Sequence, residues 1–276
     1  MPHSTASRTG SRTRLEPERD SLSSMLIGAH VGQEDPLGDA SVMGLDAVQM
    51  FLGDPQSFAR PDPRPDAEEL KASGVPIYVH APYRLNPCHP SPRIRVPSRK
   101  TLAQTVDAAA AIGAAGVIVH GGHAEDNVEE GFVRWWKVFE EREFPTRVLI
   151  ENTAGGDNAV ARYVDQIARL WDKLEGFEVG FCFDTCHAHA AGEDLVDVVE
   201  RVLKVVGTID VLHCNDSRDL PGTGADRHAN IGKGKMGREI IRGMIEASKA
   251  PVLILETPWP GVVEDLAWVR DGLAAG

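Results

Sequence analysis

Six short apolar runs in this chain each end in a side chain of the kind that binds metals. They are I-Y-V-H at His80, V-I-V-H at His120, V-L-I-E at Glu151, F-C-F-D at Asp184, V-L-H at His213 and L-I-L-E at Glu256. A histidine closing a single strand is ordinarily a capped or packed residue. Six such endings, on strands separated by helix-like segments, put imidazoles and carboxylates along one edge of a parallel sheet. That edge is where barrels build active sites.

Eight strands are expected: Leu26–His30, Val48–Leu52, Ile77–His80, Val117–His120, Val148–Glu151, Val179–Asp184, Val211–His213 and Val252–Glu256. Their near-continuous apolar character marks them as buried on both faces, as parallel strands are. Helical patterns fall between them at Ser98–Ile112, Val128–Phe139, Ala159–Leu174, Leu195–Val206 and Gly237–Ser248, with Ser98 and Asn158 as N-cap candidates. This alternation predicts an α/β fold, a single-domain (β/α)8 TIM barrel over residues 25–276. A doubly wound open sheet is the competitor. It normally carries a glycine-rich phosphate loop after its first strand, and G-A-H-V-G-Q-E-D-P has no such fingerprint.

Residues 1–24 are Arg/Ser-rich and aperiodic, so a disordered N-terminal tail is expected there, and Met25 can serve as a start. A transit peptide is the superficial alternative. No apolar run approaches the roughly 20 residues that cross a bilayer, so no membrane partner is expected. The four cysteines form no C-x-x-C pair, which favours a reduced, cytoplasmic setting. The net charge of −12 argues against nucleic acid in bulk, but carboxylates that bind cations cancel part of it where it matters.

A carboxylate behind three apolar strand residues is costly unless paired, protonated or metal-bound, and Glu151, Asp184 and Glu256 all stand so. The strand ends supply histidines rather than matching cations. D-T-C-H adds His187, on the turn leaving its strand, and D-R-H adds Asp226 and His228 on an extended loop. Gly121 and Gly122 after His120 leave room for a ligand. Nitrogen with carboxylate oxygen suits Zn²⁺, with Mn²⁺ or Fe²⁺ as alternative occupants. Nine candidate ligands at about three or four per ion indicate two or three ions, and such a cluster points to phosphate-ester hydrolysis.

The ordered set G-A-H-V, H-A-P-Y, V-H-G-G-H, E-N-T-A-G, D-T-C-H-A, H-C-N-D-S, D-R-H-A-N-I-G and L-E-T resembles the endonuclease IV family of apurinic/apyrimidinic (AP) endonucleases, from Met25 to the last strand. The resemblance implies a DNA base excision repair enzyme, monomeric and nucleoid-associated, with three Zn²⁺ ions and Mn²⁺ as an alternative at one site. His80, His120 and Glu151 would hold one ion. Glu151 would bridge to a second, completed by Asp184, His213 and Glu256, and His187, Asp226 and His228 would hold the third. The implied reaction hydrolyses the phosphodiester 5′ to an abasic nucleotide in double-stranded DNA, leaving a 3′-hydroxyl and a 5′-deoxyribose phosphate. Cleaning of blocked 3′ ends would use the same cluster. Glu151 or Glu256 would orient the attacking water.

For duplex contacts the candidates are Gln56 and Phe58 as wedges, Tyr83 and Asn86 beside them, and Arg227 for a phosphate, with Arg93, Arg95, Arg99 and Lys100 along the backbone. Where some relatives carry a basic residue after the second strand this chain has G-D-P-Q, and its H-P-S-P segment is unusually proline-rich. His30 and His123 are expected to fix the tautomers of ligating histidines, and His89 to lie at the surface. Two rivals remain, a sugar isomerase or epimerase on the same barrel and a non-catalytic metal-binding barrel. An isomerase has no need of the third group, His187 with D-R-H.

Overall fold

The computed structural model describes residues 25–156 and 158–274; the expected N-terminal tail, residues 1–24, lies outside them. Eight parallel strands close into a barrel. They are β1 (Leu26–His30), β2 (Ala47–Met50), β3 (Ile77–His80), β4 (Gly116–His120), β5 (Val148–Glu151), β6 (Val179–Asp184), β7 (Val211–His213) and β10 (Val252–Leu255). Five match the expected bounds. β2 starts one residue earlier and stops two earlier, β4 gains Gly116, and Glu256 falls just past the end of β10. An antiparallel hairpin of β8 (Asp216–Ser217) and β9 (His228–Ala229) rides above the barrel between β7 and β10.

Around this wall lie α1 (Pro36–Met43), α2 (Ala67–Ala72), α3 (Pro92–Ala111), α4 (Val128–Glu140), α5 (Val164–Lys173), α6 (Thr185–Ala191), α7 (Val198–Val206), α8 (Arg238–Ser248) and α9 (Val262–Ala274). α3 begins six residues before the expected start because Pro92 fits the first helical position, where no N–H is required. Ser98 is therefore not a cap. It is buried inside α3, donates to the Ile94 carbonyl and accepts from the Asn86 N–H. Asn158 caps nothing either; its amide donates to the Glu125 carbonyl, and α5 opens after Tyr163.

Side chains alternate along each strand, and this parity divides the core. Ile77, Val79, Val117, Val119, Val148, Ile150, Phe181, Phe183, Leu212, Leu253 and Leu255 pack outward among the helices. Ala47, Tyr78, Ile118, Leu149, Cys182, Val211, Val252 and Ile254 fill the barrel interior. Two residues further along the same inward parity come Gln49, His80, His120, Glu151, Asp184, His213 and Glu256. One apolar layer thus plugs the barrel, and the polar layer stands directly above it at the carboxyl ends of the strands. Gly28 permits this closure, because a Cβ there would collide with the Ala47 carbonyl and the Ile254 side chain.

Candidate metal centre

Strand register brings the polar residues to one level: His120 lies opposite Glu151, and Asp184 opposite His213. Glu151 is the hub. One carboxylate oxygen, Oε2, lies 3.2 Å from His80 Nε2 and 3.3 Å from His120 Nε2. The other, Oε1, lies 2.9 Å from His213 Nδ1, which is also 3.3 Å from Glu256 Oε2 and 3.9 Å from Asp184 Oδ2. The donor atoms of His80, His120 and Glu151 fall within 4.8 Å of one another, as do those of Glu151, Asp184, His213 and Glu256. A third focus forms at Asp226 Oδ1, 3.2 Å from both His187 Nε2 and His228 Nε2. His120 also comes within 4.8 Å of the His187–Asp226 pair. All nine candidate ligands therefore meet, in three overlapping groups.

His187 is not on a turn. It sits in the first turn of α6, whose N-terminus is capped by Asp184, with Asp184 Oδ1 accepting from the His187 N–H at 2.7 Å. Asp226 and His228 hang from the hairpin, and two buried carboxylates fasten that region. Asp216 accepts the N–H groups of Ser217, Gly232, Gly234 and Met236. Asp265 accepts from Ile231 N, Asn230 Nδ2 and Thr257 Oγ1.

Ring tautomers point the same way. His80 Nδ1–H donates to the Ala81 carbonyl at 2.7 Å, His187 Nδ1–H to the Asn152 carbonyl at 2.8 Å, and His228 Nδ1–H to the Glu256 carbonyl at 3.4 Å. Each bond leaves Nε2 as a lone pair aimed at carboxylates. The Nε2 atoms of His187 and His228 are buried with no hydrogen-bond partner, although both are near Asp226. Buried polar atoms without partners are rare, and a cation among these lone pairs and carboxylates satisfies all of them.

Without a cation, protons do that work. Burial disfavours charge on His213, but Glu256 and Glu151 outweigh it and hold the imidazolium to about 9. His228 is likewise opposed by burial and raised to about 9 by Asp226, Asp184 and Glu256. Burial pulls His120 down to about 4, so it is a neutral donor already. Burial works against the ionised form of Glu151, yet His213 and His120 keep it well below the usual carboxylate range. Cys182 and Cys186 lie within reach of the cluster, but burial first and the neighbouring carboxylates second push both thiols up, Cys186 to about 12. The histidines and carboxylates are the fitting ligands.

Above the cluster opens a cavity of about 520 Å³ whose walls include His30, Phe51, Tyr83, Thr257 and Trp259. Trp259 (62% exposed) and Tyr83 (45% exposed) stand at its mouth. A second cavity, about 570 Å³, lies under the Gly53–Asp66 loop and contains none of the nine.

The other expected contacts are distributed unevenly. Gln56 is exposed, whereas Phe58 packs against the core beneath the Arg84 guanidinium. The Asn86 amide is engaged with both the N–H and the carbonyl of His123. Arg227 is exposed but chelated by Asp219. Arg95 and Arg99 hold the carbonyls of His89, Pro90, Pro87 and Arg134, so they staple the proline-rich loop; Arg93 and Lys100 stay exposed.

His89 is buried rather than superficial, its Nδ1 accepting from the Ser91 N–H. His123 contributes backbone, not its ring, to the loop after β4. Gly121 and Gly122 make room for protein, not ligand: a Cβ would meet the Val160 carbonyl at the first and Asn86 at the second, where φ is +77°. Sequence reasoning missed Gln49, Asp265 and Trp259; strand parity flags Gln49, and nothing short of the folded loops flags the other two.

A family model described as a xylose isomerase-like TIM barrel matches residues 37–275. The probable endonuclease 4 of Mycobacterium marinum is 53% identical over 251 residues, spanning 90% of this chain and 99% of that protein. Its counterpart in Mycobacterium leprae is 52% identical over 249 residues, spanning 90% and 98%. The crystal structure of endonuclease IV from Thermus thermophilus superposes with a TM-score of 0.78 at 30% identity, covering 91% of this chain and all of that one. A D-tagatose 3-epimerase-like protein reaches a TM-score of 0.74 over 91% of this chain at 17% identity, a likeness of fold alone. With the barrel, the polar layer and relatives at this identity over nearly its whole length, the chain belongs to the endonuclease IV family of xylose isomerase-like TIM barrels.

Proposed function

We propose that this protein is an AP endonuclease of DNA base excision repair, hydrolysing the phosphodiester 5′ to an abasic nucleotide and leaving a 3′-hydroxyl and a 5′-deoxyribose phosphate. The observation that carries the reading is the third focus: His187 and His228 point partnerless buried nitrogens at Asp226, beside a two-centre group that would already suffice for a sugar isomerase. His80, His120 and Glu151 would hold one Zn²⁺; Glu151, Asp184, His213 and Glu256 a second; His187, Asp226 and His228 a third, with Mn²⁺ an alternative occupant at one site. Ions so held would lower the pKa of a water toward about 7 and neutralise phosphate oxygens.

The chain's own residues do the rest. Glu151 presents its two oxygens to two different groups, the arrangement that a bridging ligand requires. Glu256 accepts from Gln49 and faces the cavity, where it would orient the attacking water. Of the hydroxyls in the cavity walls, that of Thr257 is donated to the Asp265 carboxylate at 2.6 Å and that of Tyr83 stands at the mouth, so water is the fitting nucleophile. A buried cluster under an open mouth requires the abasic nucleotide to leave the helix, and Tyr83 and Trp259 offer faces for stacking beside it. Gln56 and Arg227 stand exposed for backbone contact, while Phe58 and Asn86 would act through the loops they hold. The same open cavity would admit a blocked 3′ end.

Among the described residues no helix is long and apolar enough to cross a membrane. Action as a monomer on nucleoid DNA in the cytoplasm completes the proposal, together with a tail over residues 1–24 and one catalytic domain over 25–276. The test is Glu151→Gln, which should abolish incision of an abasic duplex while leaving duplex binding within about twofold. Unchanged incision rejects the bridging role.

A further inference from the structure

Gln49 is fully buried in the polar layer, yet it is neither a metal-binding type nor a strand ending. Its amide makes contacts to three site residues. Nε2 lies 2.6 Å from Glu256 Oε1 and 2.9 Å from His30 Nδ1, and Oε1 lies 2.7 Å from His213 Nε2. The orientation of an amide follows from its partners, and here Glu256 decides it. A carboxylate can only accept, so the NH2 end must face Glu256, and its second hydrogen reaches His30 Nδ1. Oε1 is thereby turned to His213. An amide oxygen can only accept, so His213 must carry its hydrogen on Nε2. In the neutral ring that a bound ion requires, the Nδ1 lone pair then points at Glu151, Asp184 and Glu256.

His80, His187 and His228 have their tautomers fixed by backbone carbonyls, which the fold supplies whatever the sequence. His213 has no such carbonyl among its hydrogen bonds, and a side chain takes that place. We infer that Gln49 is a positioning residue: it fixes the His213 tautomer and the Glu256 carboxylate together, and so sets the affinity of the ion that those two residues would share. The inference deepens the proposed three-ion function and rests on it. It places a determinant of metal retention on β2, which like β1 contributes no ligand, and ties His30 on β1 into the same chain of bonds.

Two variants separate this role from simple packing. Gln49→Leu keeps much of the volume and removes both polar ends. Gln49→Glu keeps the volume and an acceptor for His213, but sets a carboxylate against Glu256. Metal content is measured on each purified protein, followed by release of zinc to a chromophoric chelator and by the visible spectrum of the cobalt-substituted form. The wild type should retain three ions. Each variant should weaken one of them by about 10- to 100-fold, leave the other two as tight as before, and shift the cobalt spectrum. Its incision kcat should fall with KM little changed. If Gln49→Leu fails to fold, Gln49→Glu decides by the same criteria. Wild-type chelator release from a folded variant overturns the inference. A wild type that holds fewer than three ions instead overturns the three-ion reading beneath it.

Discussion

Asp265 offers the sharpest link between stability and the site. Its carboxylate is buried and joins the loop leaving β9 to the segment leaving β10: Oδ1 accepts from Ile231 N at 3.0 Å, and Oδ2 from Asn230 Nδ2 at 2.7 Å and Thr257 Oγ1 at 2.6 Å. In Asp265→Ala, Asn230 keeps its bond to the Pro258 carbonyl, but Ile231 N–H and the Thr257 hydroxyl lose the acceptors recorded for them. A buried donor left unsatisfied costs about 1–3 kcal/mol, and the threonine hydroxyl can rotate to recover part, so a loss of about 3 kcal/mol is expected. For a barrel of this size each kcal/mol lowers Tm by about 2–4 °C, giving a fall of roughly 6–12 °C. Asp265→Asn keeps an oxygen and should fall by about half as much. Because Ile231 follows His228 and Thr257 follows Glu256, the variant should also retain about two of three bound ions. Thermal unfolding by circular dichroism and metal analysis read both effects. A Tm within about 2 °C of wild type at full metal content would refute this account of the hairpin.

Three further outcomes follow from the geometry. In the metal-free protein His213 and His228 titrate near 9 against 6.5 for an ordinary histidine, so their stabilisation is complete below about pH 6.5 and lost as pH rises through 9. The Tm of chelator-stripped protein should fall across that window while the loaded protein stays level, and zinc uptake at pH 7 should release protons in calorimetry with buffers of differing ionisation enthalpy; a rise in the stripped Tm would contradict the assignment. All four cysteines are buried, with Cys88 raised to about 12 by burial, so a thiol reagent at pH 8 should label none in the native state and four after denaturation. Trp259→Ala removes an exposed face at the cavity mouth; stacking is worth about 1–3 kcal/mol, so KM for an abasic duplex should rise by about 5- to 150-fold with kcat within about twofold, and an unchanged KM removes Trp259 from the contact surface.

Much of this molecule was legible in the chain because parallel strands buried on both faces leave a strong apolar signal, and a polar residue at the end of one stands out. That contrast located β1, β3, β5, β6 and β7 to the residue and flagged six of the nine ligand candidates, while D-T-C-H and D-R-H supplied His187, Asp226 and His228. Gln49 escaped because it sits one residue inside its strand, where a neutral amide carries no metal signature. Alternation counted from Ala47 would have put it on the inward face. Ser98 misled because serine at a cap and serine bonded back to a helix carbonyl look alike in sequence. Asp216, Asp265 and Asn86 act through partners many residues away, and no local pattern encodes such pairs. The basic run at 93–100 read as a DNA surface, but a proline-rich loop has many unpaired carbonyls, and Arg95 and Arg99 bind those first.

The central claim is that three groups of ligands serve phosphodiester hydrolysis at a lost base. The most direct measurement is incubation of zinc-replete protein with a duplex bearing one tetrahydrofuran abasic analogue, with both new ends identified. A single cut 5′ to the analogue, leaving a 3′-hydroxyl that a polymerase extends and disappearing after prolonged chelation, is the result expected. An intact duplex with fully loaded protein, alongside turnover of a ketose or aldose, would contradict it.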